Sequence, residues 1–173
     1  MQLKKNHQSA FTLIELVVVI LILAILAGAL VPRVTDRLAA SRDSRRLNDL
    51  RVIRDAIEQY YLDKGVYPPA TVVALGAGYD VTHDNNFIPE LVQTGYLREP
   101  AMDPVNDVTY FYGYNVFAQG TNGCKGKGSF YVLGIKRFET AGFAVAHPGY
   151  FKCATKNWSA DFEYVTGGGA SEK

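Results

Sequence analysis

Phe11-Thr12-Leu13-Ile14-Glu15-Leu16-Val17-Val18-Val19-Ile20-Leu21-Ile22-Leu23-Ala24-Ile25-Leu26-Ala27-Gly28-Ala29-Leu30-Val31 is an apolar run of 21 residues that carries one charge, Glu15. As a helix it covers about 30 Å, the hydrocarbon thickness of a bilayer. A carboxylate costs about 2.5 to 3.5 kcal/mol at the midplane of such a span and less near its end, so an ionisable residue there predicts function and a partner. The only other polar side chain of the run is Thr12, and no basic residue within it can neutralise Glu15. A cut between the small residue Ala10 and the aromatic Phe11 would create a positive amine about 6 Å along the axis from Glu15. A neighbouring copy shifted by about one turn would then bring its own amine beside the carboxylate.

Outward from this run, the pattern continues as an amphipathic helix. After Pro32, the apolar positions Leu47, Leu50, Ile53, Ile57 and Tyr60 or Tyr61 recur at helical spacing among arginines and acids. Lys64-Gly65 supplies a stop, with Gly65 suited to a left-handed cap and Pro68-Pro69 barring a restart. The expected helix covers 11–64, about 80 Å, with a kink at Pro32. Between Arg33 and Arg54 seven arginines stand against Asp36, Asp43 and Asp49. Two readings of them lead, a solvated helix face and an electrostatic contact between subunits, and contact with DNA or anionic lipid is a distant third.

Residues 65–107 hold Gly, Pro, Asn or Asp in every short window and read as a connecting loop with one short helix at Pro89 to Thr94. Beyond them the period changes to two. Val108 to Phe117, Ser129 to Phe138, Gly142 to His147 and Asp161 to Thr166 each read as a strand. Four locally connected strands make a small antiparallel sheet over 108–166, whose apolar face covers the amphipathic helix, leaving 167–173 as a flexible tail. The fold class expected is therefore α+β, a long N-terminal helix on a small antiparallel sheet. The tyrosines of this region read as sheet packing rather than a ligand cage.

Composition excludes several functions. A net charge of +1 over 173 residues leaves no basic excess for nucleic-acid binding. No nucleophile motif stands beside a histidine and an acid, and no glycine loop precedes a Lys-Ser or Lys-Thr, so no enzyme activity is expected. With three histidines and no Cys-x-x-Cys, a zinc or haem site finds no support.

Lys4, Lys5, Ala10, Phe11, Thr12 and Glu15 together resemble the cleavage and methylation motif of type IV prepilins and type II secretion pseudopilins. In that family a peptidase removes a short basic leader, the new first residue is N-methylated, and the glutamate fifth in line pairs with the terminus of an adjacent subunit. The resemblance implies a leader over residues 1–10, cleavage between Ala10 and Phe11 and methylation of Phe11. It also implies assembly through the helix by Glu15 and through a helix-bending proline at Pro32. Ala10 stands where the family usually has glycine. Tyr67-Pro68, Leu91, Gly95-Tyr96-Leu97, Pro100, Asp103-Pro104, Tyr110 and Tyr112 are similar in order to the middle of the major type II secretion pseudopilin. Val105 and Asn106 replace its tryptophan and glycine.

The partners so implied are other copies of the chain, minor pilins or pseudopilins, a prepilin peptidase and methyltransferase, and an inner-membrane assembly platform. The location implied is a bacterial inner membrane, with residues 1–10 cytoplasmic and the C-terminal domain outside the cytoplasm. Many pilins carry a C-terminal disulfide loop, which implies that Cys124 and Cys153 pair; two free structural thiols are the alternative. Calcium, associated with an acidic loop of the major pseudopilins, is not carried over, because the corresponding stretch here reads Ile135-Lys136-Arg137-Phe138-Glu139. Asp80, Asp84 and Asn85, or Asp103, Asn106 and Asp107, offer oxygens, but such clusters usually make turns. No cofactor is expected. The competing function is a membrane-anchored binding module that uses the helix only as a tether.

Overall fold

The computed structural model describes residues 11–70, 78–126 and 128–169, and at 29–32 the backbone alone. The expected leader, with Ala10, lies outside the described residues, as do 170–173 of the expected tail. The chain divides into two compact units, Met1–Leu38 and Ala39–Lys173. Helix α1, Leu13–Lys64, begins in the first and ends in the second.

In the first unit α1 is apolar and unpacked. Every large apolar side chain described from Leu13 to Leu26 is at least 43 % exposed, and the helix is long and apolar enough to cross a membrane. Its backbone stays helical through Pro32.

In the second unit the expected stripe is the core. Leu47, Leu50, Ile53, Ala56, Ile57 and Tyr60 are all buried. The helix stops at Gly65, whose φ of +73° fits glycine and whose N–H donates to the carbonyl of Tyr61 at 2.8 Å.

The sheet has four antiparallel strands in chain order: β1 Asp80–Val81, β2 Tyr112–Phe117, β3 Phe130–Ile135 and β4 Tyr164–Gly168. The cross-strand pairs Tyr112↔Ile135, Tyr114↔Leu133 and Val116↔Tyr131 face α1. The alternate positions face away, where Phe130, Val132 and Val165 form a second core with Trp158, Phe162 and the cysteines. Both sheet faces are therefore covered, rather than the single face expected. The second cover is the segment between β3 and β4.

Several expected elements are corrected. Gly142 to His147 is not a strand: α3, Phe143–Ala146, occupies it after a turn at Gly142, φ +79°. A short apolar run cannot be assigned by period alone, and here Phe143 packs on Phe138 while Val145 is 84 % exposed. The missing strand is β1, inside the stretch read as loop. The last strand starts three residues late and runs to Gly168, because Trp158–Ala160 forms a 3₁₀ turn and Phe162 folds over the sheet. Residues 167 and 168, read as tail, thus belong to the sheet. Strand β2 starts at Tyr112 because the Asp107 carboxylate accepts from the N–H groups of Thr109 and Tyr110, each at 2.8 Å, and holds them in a turn. The short helix expected at Pro89 to Thr94 is α2, Pro89–Gln93.

Candidate assembly site

Thr12 and Glu15 form a capping box at the start of α1. The Glu15 Oε2 atom accepts from the Thr12 N–H at 2.9 Å and from its Oγ1 at 2.8 Å, while Thr12 Oγ1 accepts from the Glu15 N–H at 3.3 Å. Threonine, two residues and glutamate is the sequence signature of this cap. It satisfies helix-end donors that lipid cannot satisfy. The other oxygen, Oε1, accepts no hydrogen bond among the described residues. Phe11, just before the cap, is 88 % exposed. Of the sequence-derived assembly residues, Phe11 and Glu15 thus lie at one helix end, while Pro32 lies within α1, its side chain outside the described atoms.

The arginines of α1 divide into two groups. Arg46 is fully buried and touches three carboxylates. Its Nε and Nη2 donate to Asp103 at 2.6 and 2.9 Å, and its Nη1 donates to Asp43 and to Glu139, each at 2.7 Å. The Tyr110 ring lies 5.0 Å from the guanidinium carbon. Arg42 pairs with Glu139, and Asp43 accepts from the N–H groups of Glu139 and Thr140 at 3.0 and 2.8 Å. One guanidinium therefore joins the helix, the Asp103-Pro104 turn and the segment after β3. Burial alone lowers the pKa of Arg46, but the hydrogen bonds it donates to Asp103 and Glu139 outweigh it and the group is raised. Glu139 is held below its usual range, chiefly by the Arg42 hydrogen bond and then by Arg46.

The remaining arginines face solvent. Arg45 lies 3.5 Å from Asp49 and Arg54 lies 3.0 Å from Asp55. Arg33, Arg37 and Arg51 are exposed and pair with no carboxylate among the described residues. Asp49 lines a groove of about 380 Å³ with Val52, Tyr96 and Met102. Burial pushes its pKa up, against the Tyr112 hydroxyl and Arg45.

Cys124 and Cys153 form a disulfide, with Cα atoms 4.8 Å apart, at the edge of the second core. On the same face of the sheet Gly113 and Gly134 stand opposite one another in β2 and β3. A Cβ on either would lie within 2.7 Å of the Phe162 ring, so the two glycines form the slot that admits it. In the loops the acids make turns: Asp103 Oδ1 accepts from Val105 N–H and Asp84 Oδ1 from Asn86 N–H. Among the described residues no group of three or more His, Cys, Asp or Glu side chains is arranged to hold a metal.

Sequence reasoning missed two of these arrangements, although signals existed. The capping box is written in Thr12-Leu13-Ile14-Glu15. Position 46 lies four, seven and eleven residues before Leu50, Ile53 and Ile57 and so falls on the buried stripe.

Residues 5–31 match the model of the prokaryotic N-terminal methylation motif. The chain is 33 % identical over 121 residues to the type II secretion system core protein G of Pseudomonas aeruginosa, covering 70 % of this chain and 81 % of that one. It is 31 % identical over 130 residues to the protein of the same name from Vibrio cholerae, covering 71 % and 87 %. It is also 36 % identical over 88 residues to the fimbrial protein EcpC of Eikenella corrodens, covering 51 % and 56 %. No solved structure matches. With an exposed apolar helix behind a methylation motif, a helix-backed antiparallel sheet and relatives that align along most of both chains, the protein belongs to the pseudopilin family of the type II secretion core protein G.

Proposed function

We propose that this pseudopilin subunit is cut between Ala10 and Phe11, methylated at Phe11 and drawn into a helical filament by its apolar helix. The observation that carries the reading is the half-occupied Glu15 carboxylate. Oε2 is engaged by Thr12 and Oε1 is open, so the side chain is already oriented by its own chain and keeps one oxygen for a cation from outside. The freed amine of a neighbouring Phe11 has the required charge and lies at the corresponding helix end. The apolar faces of several copies would cover one another where the single chain leaves them bare.

In this reading the helix rests in the inner membrane before assembly, with the sheet domain on the far side from the cytoplasm. The partners are other copies and related minor subunits, a prepilin peptidase and methyltransferase, and a membrane assembly platform. The disulfide fits an oxidising compartment for the sheet domain. The core protein G relatives favour a secretion filament over a surface pilus. Mass spectrometry of the N-terminus in cells with an active prepilin peptidase tests the first step. The expected result is a chain starting at N-methylated Phe11; retention of Met1 to Ala10 would leave a tethered binding module as the better reading. Glu15→Ala should keep membrane insertion and lose filament incorporation, and a normal filament yield would remove the docking role.

A further inference from the structure

Charge is segregated along the chain. Over Arg33–Arg54 the net charge is +4, whereas over residues 55–107 nine acids face only Lys64 and Arg98, a net of −7. Within the basic stretch Arg42 and Arg46 are consumed by internal carboxylates, and Arg45 and Arg54 have acidic neighbours on the helix. Arg51 is left on the helix beside the sheet domain, and Arg33 and Arg37 are left near the apolar run. The latter two stand four residues apart, on one face of α1 just beyond the apolar run, both exposed and unpaired with any carboxylate among the described residues.

The acidic stretch has a matching surplus. At the C-terminal end of α1, Tyr60 and Tyr96 pack edge to face, with centroids 5.4 Å apart. The Tyr96 hydroxyl donates to Asp63 at 2.7 Å and the Tyr60 hydroxyl to Glu90 at 3.5 Å. Gln59 also donates to Asp63. Both carboxylates are thus oriented by neutral donors on one aromatic pair, and neither meets a cation among the described residues.

We infer that Arg33 and Arg37 of one copy dock on Asp63 and Glu90 of a second copy displaced along the helix direction. The inference rests on the filament reading and adds a polar contact to the apolar one. Two different surfaces of one chain meet, so the contact is heterologous, and repetition extends it into an open helical array rather than a closed dimer. The arginines also explain why assembly would not strand two guanidiniums. While the helix sits in lipid they lie at headgroup level; when it leaves, the carboxylates of a neighbour replace water and phosphate. Complementary charge of this kind sets register and excludes wrong partners more than it adds affinity.

The test is a charge swap in the full chain, expressed with its own secretion machinery, reading filament yield from sheared fractions. The pair Arg33→Glu with Arg37→Glu should lower the yield roughly tenfold, as like charges replace opposite ones. The pair Asp63→Arg with Glu90→Arg should do the same, and the fourfold variant should recover most of the wild-type yield. Lys125→Glu, a single charge reversal on an exposed position elsewhere, should have no effect. As a second readout, Arg37→Cys with Asp63→Cys should give a ladder of covalent dimers and higher multimers on mild oxidation. Normal yield from either reversed pair overturns the inference. So does a fourfold variant that stays defective while the arginine variant also loses flotation on phosphatidylglycerol vesicles, since that result assigns the arginines to lipid. A wild-type chain that forms no filament would instead defeat the filament reading itself.

Discussion

The Arg46 guanidinium meets the Asp103 carboxylate through two parallel hydrogen bonds, and neither side chain reaches solvent. Such a fork stays favourable in a dry interior only while every partner is present. Asp103→Ala leaves a buried cation with fewer partners and should cost about 3 to 5 kcal/mol. Arg46→Met, which takes the shared cation away from Asp43, Asp103 and Glu139, should cost a similar amount. Replacing Arg46, Asp43 and Asp103 together by apolar residues of similar volume should cost much less than the sum. Urea unfolding of the detergent-solubilised chain, followed by Trp158 fluorescence, checks all three; equal cost for the triple variant would show the network itself to be net stabilising.

Acid should loosen the same corner. The folded pKa of Glu139 lies below its unfolded value, so its contribution to stability is fully present above the unfolded pKa and is lost as pH falls through the folded one. Unfolding midpoints should therefore drop on acidification below about pH 4.5, the ordinary glutamate range. In Glu139→Gln the drop should be shallower, since its titrating group is gone. An unchanged acid limb would place the proton uptake elsewhere.

At high pH the tyrosines act in the opposite sense. Burial, and then the nearby Glu58, push Tyr67 up to about 12. The stability tied to its protonated hydroxyl is fully present below the unfolded pKa and is lost as pH rises through the folded value of about 12. Tyr67→Phe should flatten the alkaline limb of a melting-temperature profile between about pH 10 and 12.

The Phe162 slot is steric and should respond to volume. Gly134→Ala puts a Cβ 2.4 Å from Phe162 Cγ, and overpacking should cost about 1 to 3 kcal/mol. Phe162→Ala should cost about 3 to 5 kcal/mol by the cavity it leaves. Combined, the two should cost less than their sum, because the alanine methyl occupies part of the vacated space. Additive losses in thermal unfolding would mean the ring and the glycines do not meet.

Reduction of the disulfide removes a cross-link closing a separation of 29 residues, worth about 3 to 4 kcal/mol in the chain-entropy treatment. The loss should appear first as faster amide exchange in 136–163, the segment that covers the far face, with the α1 core exchanging later. Uniform acceleration across both cores would count against this order.

The long helix, its stop at Gly65 and its buried stripe could be read directly, because a 3.6-residue period sustained over many turns has few rivals. The alternation of Tyr112, Tyr114 and Val116 against Gly113, Asn115 and Phe117 also told the two faces of β2 apart. Gly142 to His147 failed for the opposite reason: four helical residues are too few to show a period, and Phe143 is placed by Phe138, a contact between segments. The strand Asp80–Val81 escaped because two residues carry no alternation, and it exists only by pairing with Tyr114 and Gly113. Arg46 is the most instructive miss. Its position on the stripe was visible, yet its burial depends on carboxylates 57 and 93 residues away, which local patterns do not bring together.

The Thr12–Glu15 cap carries a consequence for timing. A carboxylate that already holds two donors from its own chain would not enter a bilayer as a bare charge, so in the proposed pathway the subunit can wait in the membrane before assembly. On the proposed pairing, joining a neighbour would exchange or add one contact instead of rescuing an unsatisfied ion, and the net gain at each junction would be a small difference between two satisfied states. Subunits held in that balance would be able to join and to leave at little change in free energy.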